Sequence, residues 1–185
     1  MKIIIVGGGL GGLASYLALK KYLAEISPSV TIKVYESHPD PISATATLGG
    51  SISIAPNGLR ALSSICDAAV TSLTATGFQY PTFAFRNSRG SLLGHLGGSK
   101  ERHGFVQLFV TRTMVHEALL REVPQSAVHW GKNVEKVVEA TDDDGVEVYF
   151  ADGTVEYADL VIGADGLKSV VRKSIFGDEF DAKYK

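Results

Sequence analysis

The apolar positions of this chain follow first a strand pattern and then a helix pattern. An unbroken apolar run at residues 3–6 is typical of a buried strand, and after it apolar or small residues recur at the spacing of one helix face. The residues of that face are Leu10, Leu13, Ala14, Leu17 and Ala18. A second strand, rich in β-branched residues, is predicted at residues 30–35. This order predicts an α/β, Rossmann-like domain with a parallel sheet.

The last third of the chain shows short apolar stretches separated by tight turns. Strands are predicted at residues 128–130, 134–140, 146–150, 155–157 and 159–163, the last of them buried. Aspartate and glycine at 142–145 and 152–153 are turn residues, so three of these strands should form an antiparallel β-meander. A short helix through Val171 is predicted to follow.

The middle of the chain is less regular. Pro39 and Pro41 should end regular structure and begin a flexible segment. The further predicted elements are a strand ending at residue 54, a helix over 58–69, a β-hairpin insertion with strands 78–86 and 91–96, a polar loop over 97–104, a strand over 105–110, and a helix capped by Thr111 or Thr113.

Three glycines after the first strand have the spacing G-x-G-x-x-G. Gly7 permits a tight turn, Gly9 lets a pyrophosphate approach the backbone, and Gly12 lets the helix pack closely on the strand. The N–H groups at a helix start lack intrahelical partners and carry partial positive charge, which favours a diphosphate. Glycine loops are also common for flexibility alone, so the context must decide.

Glu36 ends the second strand, 24 residues beyond Gly12, near the offset of about 20 at which an acid meets a ribose. Its carboxylate would accept two hydrogen bonds from the adenosine ribose and would repel a 2′-phosphate. FAD or NAD is therefore favoured over NADP at this site. The alternative is a solvated carboxylate at a strand end.

Arg112 lies in the first turn of a predicted helix. A cation there faces the positive end of the helix dipole and costs about 0.3 to 1 kcal/mol unless an anion lies nearby. This position indicates a phosphate neighbour, and an arginine that simply extends into water is the alternative.

Composition removes several function classes. The chain has 185 residues, is 45% hydrophobic and carries a net charge of −2, which is globular composition without the basic footprint of a nucleic-acid binder. No apolar run is long enough to span a bilayer.

Cys66 is the single cysteine and is expected in a helix, as a small buried thiol. The five histidines show no metal-ligand spacing and are assigned no chemistry. We expect a soluble, intracellular, cytoplasmic protein without a metal site.

Several segments together resemble the FAD-dependent monooxygenases of the aromatic-ring hydroxylase family, in the branch similar to salicylate hydroxylase. They are residues 7–12 with Glu36, residues 49–62, the Thr-Arg segment at Arg112, and the Asp-Gly segment at 159–166. The resemblance covers nearly the whole chain. Ser53 stands where relatives often have glycine.

The resemblance implies further roles for residues of the site. Gly7, Gly9, Gly12 and Glu36 would bind FAD, and Arg112 would contact its phosphate or ribityl region. Gly49 would approach the flavin, and Asp165 with Gly166 would hold the side of the cofactor that NADH or NADPH visits transiently.

The resemblance also implies a domain and a reaction. Residues 1–185 would form one incomplete FAD/NAD(P)-binding domain, with 79–105 belonging to a substrate-side region, and the substrate would be a small aromatic molecule. No catalytic residue is assigned. Relatives continue for about as much again, so we expect this chain alone not to hydroxylate, since a flavin needs both faces shielded from water. A non-catalytic nucleotide-binding remnant and an NAD-dependent dehydrogenase are the alternatives.

Overall fold

The computed structural model describes residues 1–46, 50–97, 100–140 and 145–177, without the side chains of residues 46 and 101. The chain divides into two compact units. Unit 1 comprises Met1–Thr47 and Leu119–Lys185, and unit 2 comprises Leu48–Ala118. Residues 79–105, predicted to belong to a substrate-side region, fall within unit 2. The single incomplete domain and this substrate role stay predictions.

The described residues contain the following strands and helices. The strands are β1 (Lys2–Val6), β2 (Thr31–Tyr35), β3 (Ser51–Ile54), β4 (Phe78–Tyr80), β5 (Thr82–Arg86), β6 (Leu92–Gly97), β7 (Gln107–Thr111), β8 (Val128–His129), β9 (Val134–Glu139), β10 (Val146–Phe150), β11 (Val155–Ala158) and β12 (Leu160–Gly163). The helices are α1 (Leu10–Leu23), α2 (Pro41–Ala46), α3 (Pro56–Ile65), α4 (Asp67–Thr76), α5 (Lys100–His103), α6 (Arg112–Leu120) and α7 (Val170–Phe176). None of these helices is long and apolar enough to cross a bilayer.

A parallel sheet with the strand order β12-β1-β2-β8 forms the centre of unit 1. The predicted parallel sheet is confirmed. Ile4 and Ile5 in β1 are fully buried, because β1 lies between two other strands. Helix α1 buries Gly12, Leu13 and Tyr16. The sequence pattern missed Tyr16.

Strand β12 is less covered than its apolar sequence predicts. Leu160 is 46% exposed, and the following two residues are half-buried. β12 lies at one edge of the described sheet, so it has a strand neighbour on one side. The prediction that the strand at 159–163 is buried is therefore wrong, since residues 159, 160 and 163 are exposed and residues 161 and 162 are half-buried.

The predicted β-meander of unit 1 is also confirmed, with the order β11-β10-β9. Its buried residues Val148 and Phe150 pack in one cluster with Ile4 and Tyr35 of the parallel sheet. The aspartate-rich turn predicted at 142–144 lies outside the described residues.

A partly exposed ion cluster joins the meander to the parallel sheet. Glu156 of β11 accepts hydrogen bonds from Lys2, from Lys33 at 2.9 Å and from the Tyr35 hydroxyl at 2.6 Å. Partial burial alone would raise the pKa of Glu156. The hydrogen bonds together outweigh this effect and lower the pKa to about 2. The carboxylate is therefore ionised at neutral pH.

Unit 2 contains an antiparallel sheet, β3-β7-β4, and the hairpin β5-β6. The predicted hairpin is confirmed. Its first strand, expected at 78–86, is instead two strands that are interrupted at Pro81. Proline lacks the N–H that a continuous strand would use.

Three predictions about the middle of the chain are wrong. Pro41 begins α2, because the Asp40 carboxylate accepts hydrogen bonds from Ser43 N–H at 2.9 Å and Ser43 Oγ at 2.8 Å, and proline suits the first helical turn. The helix expected over 58–69 is two helices separated at Cys66, which has an extended backbone and is half-buried. The loop predicted at 97–104 contains the short helix α5.

Candidate nucleotide-binding site

Three loops of unit 1 meet at one edge of the parallel sheet. The glycine loop follows β1, Glu36 follows β2, and residues 164–166 follow β12. Because these strands are parallel, their carboxyl ends lie at the same edge, where open α/β sheets bind ligands. The site therefore combines segments that are far apart in the sequence.

Gly7 forms the contact between two of these loops. Its φ of +102° lies in the left-handed region, and a Cβ added there would stand 2.5 Å from the Ala164 carbonyl oxygen. Gly7 N–H donates to Tyr35 O, and Ala164 N–H donates to Val6 O, each at 2.8 Å. Both the backbone angle and the available space thus require glycine.

Gly12 brings α1 directly onto the glycine loop. A Cβ at this position would lie 1.8 Å from the Gly7 carbonyl oxygen, so no larger residue fits without movement of the backbone. Gly9, by contrast, has no described atom within 4 Å of an added Cβ. The approach to the loop is open there.

The first turn of α1 offers N–H donors beside Gly9. Leu13 N–H donates to Gly9 O at 3.0 Å, so the N–H groups of residues 10–12 precede the first N–H that has an acceptor within the helix. The positive end of the helix dipole adds to their attraction for anions. The loop can therefore hold a phosphate group through backbone contacts alone.

The Glu36 carboxylate is directed at the glycine loop. The residue is 7% exposed, and its Oε2 accepts a hydrogen bond from Gly8 N–H at 2.7 Å. Burial alone would raise the pKa of Glu36. Hydrogen bonds from His38, Gly8 and Ser37 together outweigh this effect, so the pKa lies below its usual range. A buried, ionised acceptor thus stands next to an anion-binding loop.

His38 and Ser37 are site residues that sequence reasoning missed. His38 reaches Oε1 of Glu36 with its N–H at 2.9 Å and with Nδ1 at 2.6 Å, and Ser37 Oγ donates to the same oxygen at 3.1 Å. Short polar residues that follow a carboxylate commonly make such local hydrogen bonds. That signal is present in the sequence, where Ser37 and His38 directly follow Glu36.

Asp165 caps helix α7. Its carboxylate accepts hydrogen bonds from Ser169 Oγ and Val170 N–H, both at 2.6 Å, and from Val171 N–H at 3.3 Å. Gly166 follows with a φ of +75°. The structure thus shows how Asp165 orients α7, and the cofactor roles of Asp165 and Gly166 stay predictions.

Arg112 and the Gly49 segment belong to unit 2. Arg112 is exposed at the start of α6, and its N–H donates to Gly50 O at 3.3 Å. Thr111 Oγ1 caps this helix by accepting from Met114 N–H at 3.1 Å, as one of the two predicted caps. Gly49 lies outside the described residues. Pairing of β3 with β7 thus brings the backbones of the two predicted segments together, and their cofactor roles stay predictions.

Unit 2 also contains an aromatic cavity of about 510 Å³. Its lining residues are Ser53, Phe78, Tyr80, Thr82, Phe83 and Phe109. Tyr80 and Phe83 meet edge to face at 4.6 Å between centroids, and the hydroxyls of Ser53 and Tyr80 share a hydrogen bond. Ser53 therefore supplies half of a polar pair in an otherwise largely aromatic wall.

Sequence and structure comparisons identify relatives over nearly the whole chain. The chain is 34% identical over 185 residues to a 6-hydroxynicotinate 3-monooxygenase of Pseudomonas fluorescens, covering 96% of this chain and 44% of that protein. It is 30% identical over 177 residues to a salicylate hydroxylase of Pseudomonas putida, covering 95% of this chain and 38% of that protein. No protein family model matches.

A solved structure supports the same relationship. Klebsiella pneumoniae HpxO, crystallised with FAD and uric acid, is similar with a TM-score of 0.74 and 28% identity, covering 94% of this chain and 41% of that one. The chain spans about two-fifths of the length of the curated relatives described above.

Proposed function

We propose that this chain is the FAD-binding part of a flavin-dependent monooxygenase. The premise is that it is homologous to the N-terminal portion of FAD-dependent aromatic hydroxylases. One observation carries the proposal: the buried Glu36 carboxylate accepts the Gly8 N–H at the glycine loop. A carboxylate and a helix start so arranged suit the ribose and the pyrophosphate of one adenosine coenzyme.

The residues of unit 1 fit the adenosine half of FAD. The open space at Gly9 admits the pyrophosphate, and the N–H groups of residues 10–12 would bind it. Glu36 would bind the ribose. FAD, when bound, supplies the redox and oxygen chemistry, while the protein binds, orients and excludes water. Arg112, Gly49, Asp165 and Gly166 are proposed as further contacts.

The substrate is proposed to be a small aromatic molecule, and NADH or NADPH the reductant. The aromatic cavity of unit 2 supports this substrate class, because ring faces favour a flat apolar ligand and the Ser53–Tyr80 pair can hydrogen-bond one polar substituent. The substitutions Ser53→Ala and Tyr80→Phe would remove the polar pair and keep the aromatic wall.

The proposal is tested by purifying the chain and measuring flavin absorbance, before and after incubation with FAD or FMN. We expect FAD to bind and FMN to bind more weakly, because FMN lacks the adenylate that the Gly7–Gly12 loop and Glu36 would hold. Equal affinity for both flavins would contradict the proposed site.

The FAD-loaded chain is then mixed with NADH or NADPH and nicotinamide oxidation is followed. Oxidation by the FAD-loaded protein supports the monooxygenase assignment. Colourless protein that binds NAD instead of FAD would indicate a dehydrogenase, and binding of ADP-like ligands without turnover would indicate a nucleotide-binding remnant.

A further inference from the structure

The two oxygens of the Glu36 carboxylate have different surroundings. Oε1 is contacted by three polar atoms, His38 N at 2.9 Å, His38 Nδ1 at 2.6 Å and Ser37 Oγ at 3.1 Å. Among the described residues, Gly8 N–H at 2.7 Å is the donor that reaches Oε2. An ionised carboxylate has about four lone-pair directions, two on each oxygen. Oε1 is therefore saturated, whereas Oε2 can accept one more hydrogen bond.

The carboxylate is also held in place sterically. A Cβ added at Gly8 would lie 3.0 Å from the Glu36 Cβ and 3.2 Å from Oε2, so the glycine backbone packs against one side of the group. On the Oε1 side stands the His38 ring, whose side chain is 39% exposed at the rim of the site. Rotation of the carboxylate would break the contacts on both sides.

The side chain of His38 makes a contribution that its backbone does not. The N–H of residue 38 would bind Oε1 with any side chain present, whereas the contact of 2.6 Å comes from the imidazole. The ring therefore helps to fix the orientation of the carboxylate, with Oε1 facing residues 37 and 38 and Oε2 facing the glycine loop.

We propose that His38 is a positioning residue that occupies Oε1 of Glu36 and leaves Oε2 as the acceptor for one hydroxyl of the adenosine ribose. The inference rests on the proposed function and refines the sequence prediction, in which Glu36 accepts two ribose hydrogen bonds. One ribose hydroxyl then contributes to binding through Glu36, and the other does not.

The test measures the dissociation constants of ADP, 2′-deoxy-ADP and 3′-deoxy-ADP by calorimetry. For the unmodified chain we expect loss of one hydroxyl to weaken binding about tenfold or more, as one charge-assisted hydrogen bond would, and loss of the other to weaken it less than about twofold. Equal losses for the two analogues would overturn the proposal.

The same three ligands are measured with variants at His38. In His38→Leu the carboxylate loses the ring contact that resists its rotation, so either oxygen can face the ribose, and the difference between the two deoxy analogues should fall below about threefold. His38→Asn retains a side-chain N–H donor and should restore the discrimination. An unchanged discrimination in His38→Leu would refute the role of the ring.

Two controls separate this inference from its premise. His95→Leu replaces an exposed histidine of unit 2 and should leave all three dissociation constants unchanged. Glu36→Gln should lower the discrimination in the presence of His38. A chain that binds no ADP at all removes the proposed function together with this inference, whereas ADP binding without hydroxyl discrimination removes this inference alone.

Discussion

The strands of the two units differ in how their apolar residues are covered. In unit 1, Ile4 and Ile5 of β1 are 0% exposed, whereas in unit 2 Phe78 of β4 is 70% exposed and Phe109 of β7 is 46% exposed. An apolar strand pattern therefore predicts that a strand forms, but it does not predict how far the side chains of that strand are buried. The nucleotide site stands on rigid, covered elements, which hold a binding geometry well. The exposed aromatic surface of unit 2 is of the kind that binds ligands or further protein.

The largest expected effect tests this contrast directly. Ile4→Ala should lower the free energy of unfolding by about 2 to 5 kcal/mol, since it opens a cavity in a fully buried position. Phe109→Ala should lower it by less than about 1 kcal/mol, because nearly half of that side chain is already in water. Urea denaturation followed by circular dichroism measures both. Similar losses for the two variants would refute the contrast.

The second prediction concerns the packing of α1 on the glycine loop. Gly12→Ala should destabilise unit 1 by about 3 kcal/mol, because the added Cβ meets a backbone oxygen. Gly11→Ala is the matched control, since its Cβ enters open space and alanine favours a helix by about 0.5 to 1 kcal/mol.

Trp130 provides the measurement for these two variants. It is the one tryptophan of the chain and lies in unit 1, so its fluorescence follows the unfolding of that unit in urea. A Gly12→Ala protein as stable as the Gly11→Ala protein would show that α1 can move away from the loop without cost.

The third prediction sharpens the role of unit 1 in binding. Glu36→Ala should weaken FAD binding by about 1 to 3 kcal/mol, through loss of a charge-assisted hydrogen bond to the ribose. Glu135→Ala, which removes an exposed carboxylate of the same unit, should not change the affinity. Titration of the apoprotein with FAD measures both, and unchanged affinity in Glu36→Ala would remove this residue from the site.

The smallest expected effect concerns the ion cluster of unit 1. Glu156→Gln should cost about 1 kcal/mol at neutral pH, because the partly exposed cluster is screened by water. The folded pKa of Glu156, about 2, is below the ordinary value of 4.5. Its contribution to stability is therefore complete above pH 4.5 and is lost as the pH falls towards 2.

Urea denaturation at several pH values between neutral and acid measures this contribution. The difference in stability between the unmodified chain and Glu156→Gln should shrink as the pH falls. A difference that stays constant down to acid pH would show that the cluster acts through packing and not through charge.

Periodic signals predicted most of unit 1. The apolar run of β1, the glycine spacing and the regular turns of the meander each specify local geometry, and the parallel sheet follows from the order of these elements. Exposure of β12 was not predictable in this way, since the position of a strand in the sheet is a tertiary property.

The errors arose where a single side chain decides the local structure. Asp40 caps α2 although Pro41 suggested a break, and the backbone at Cys66 separates two helices within an otherwise helical pattern. In the site, the direction of Glu36 towards Gly8 was expected, whereas the occupation of Oε1 by His38 depends on a side-chain rotamer that no spacing reveals. The same limit applies to Asp165, whose hydrogen bonds to α7 appear only in three dimensions.

The pairing of β1 with both an early and a late strand constrains how the protein is made. Strand β2 leaves the ribosome soon after β1, but β12 begins at Leu160 and is the partner of β1 on its other side. At about 5 to 20 residues per second, the nascent chain waits roughly eight to thirty seconds with that edge of β1 unpaired. During this interval the apolar β1 depends on chaperones or on its early neighbours for protection, and a coenzyme can be captured at the completed edge only after synthesis has passed β12.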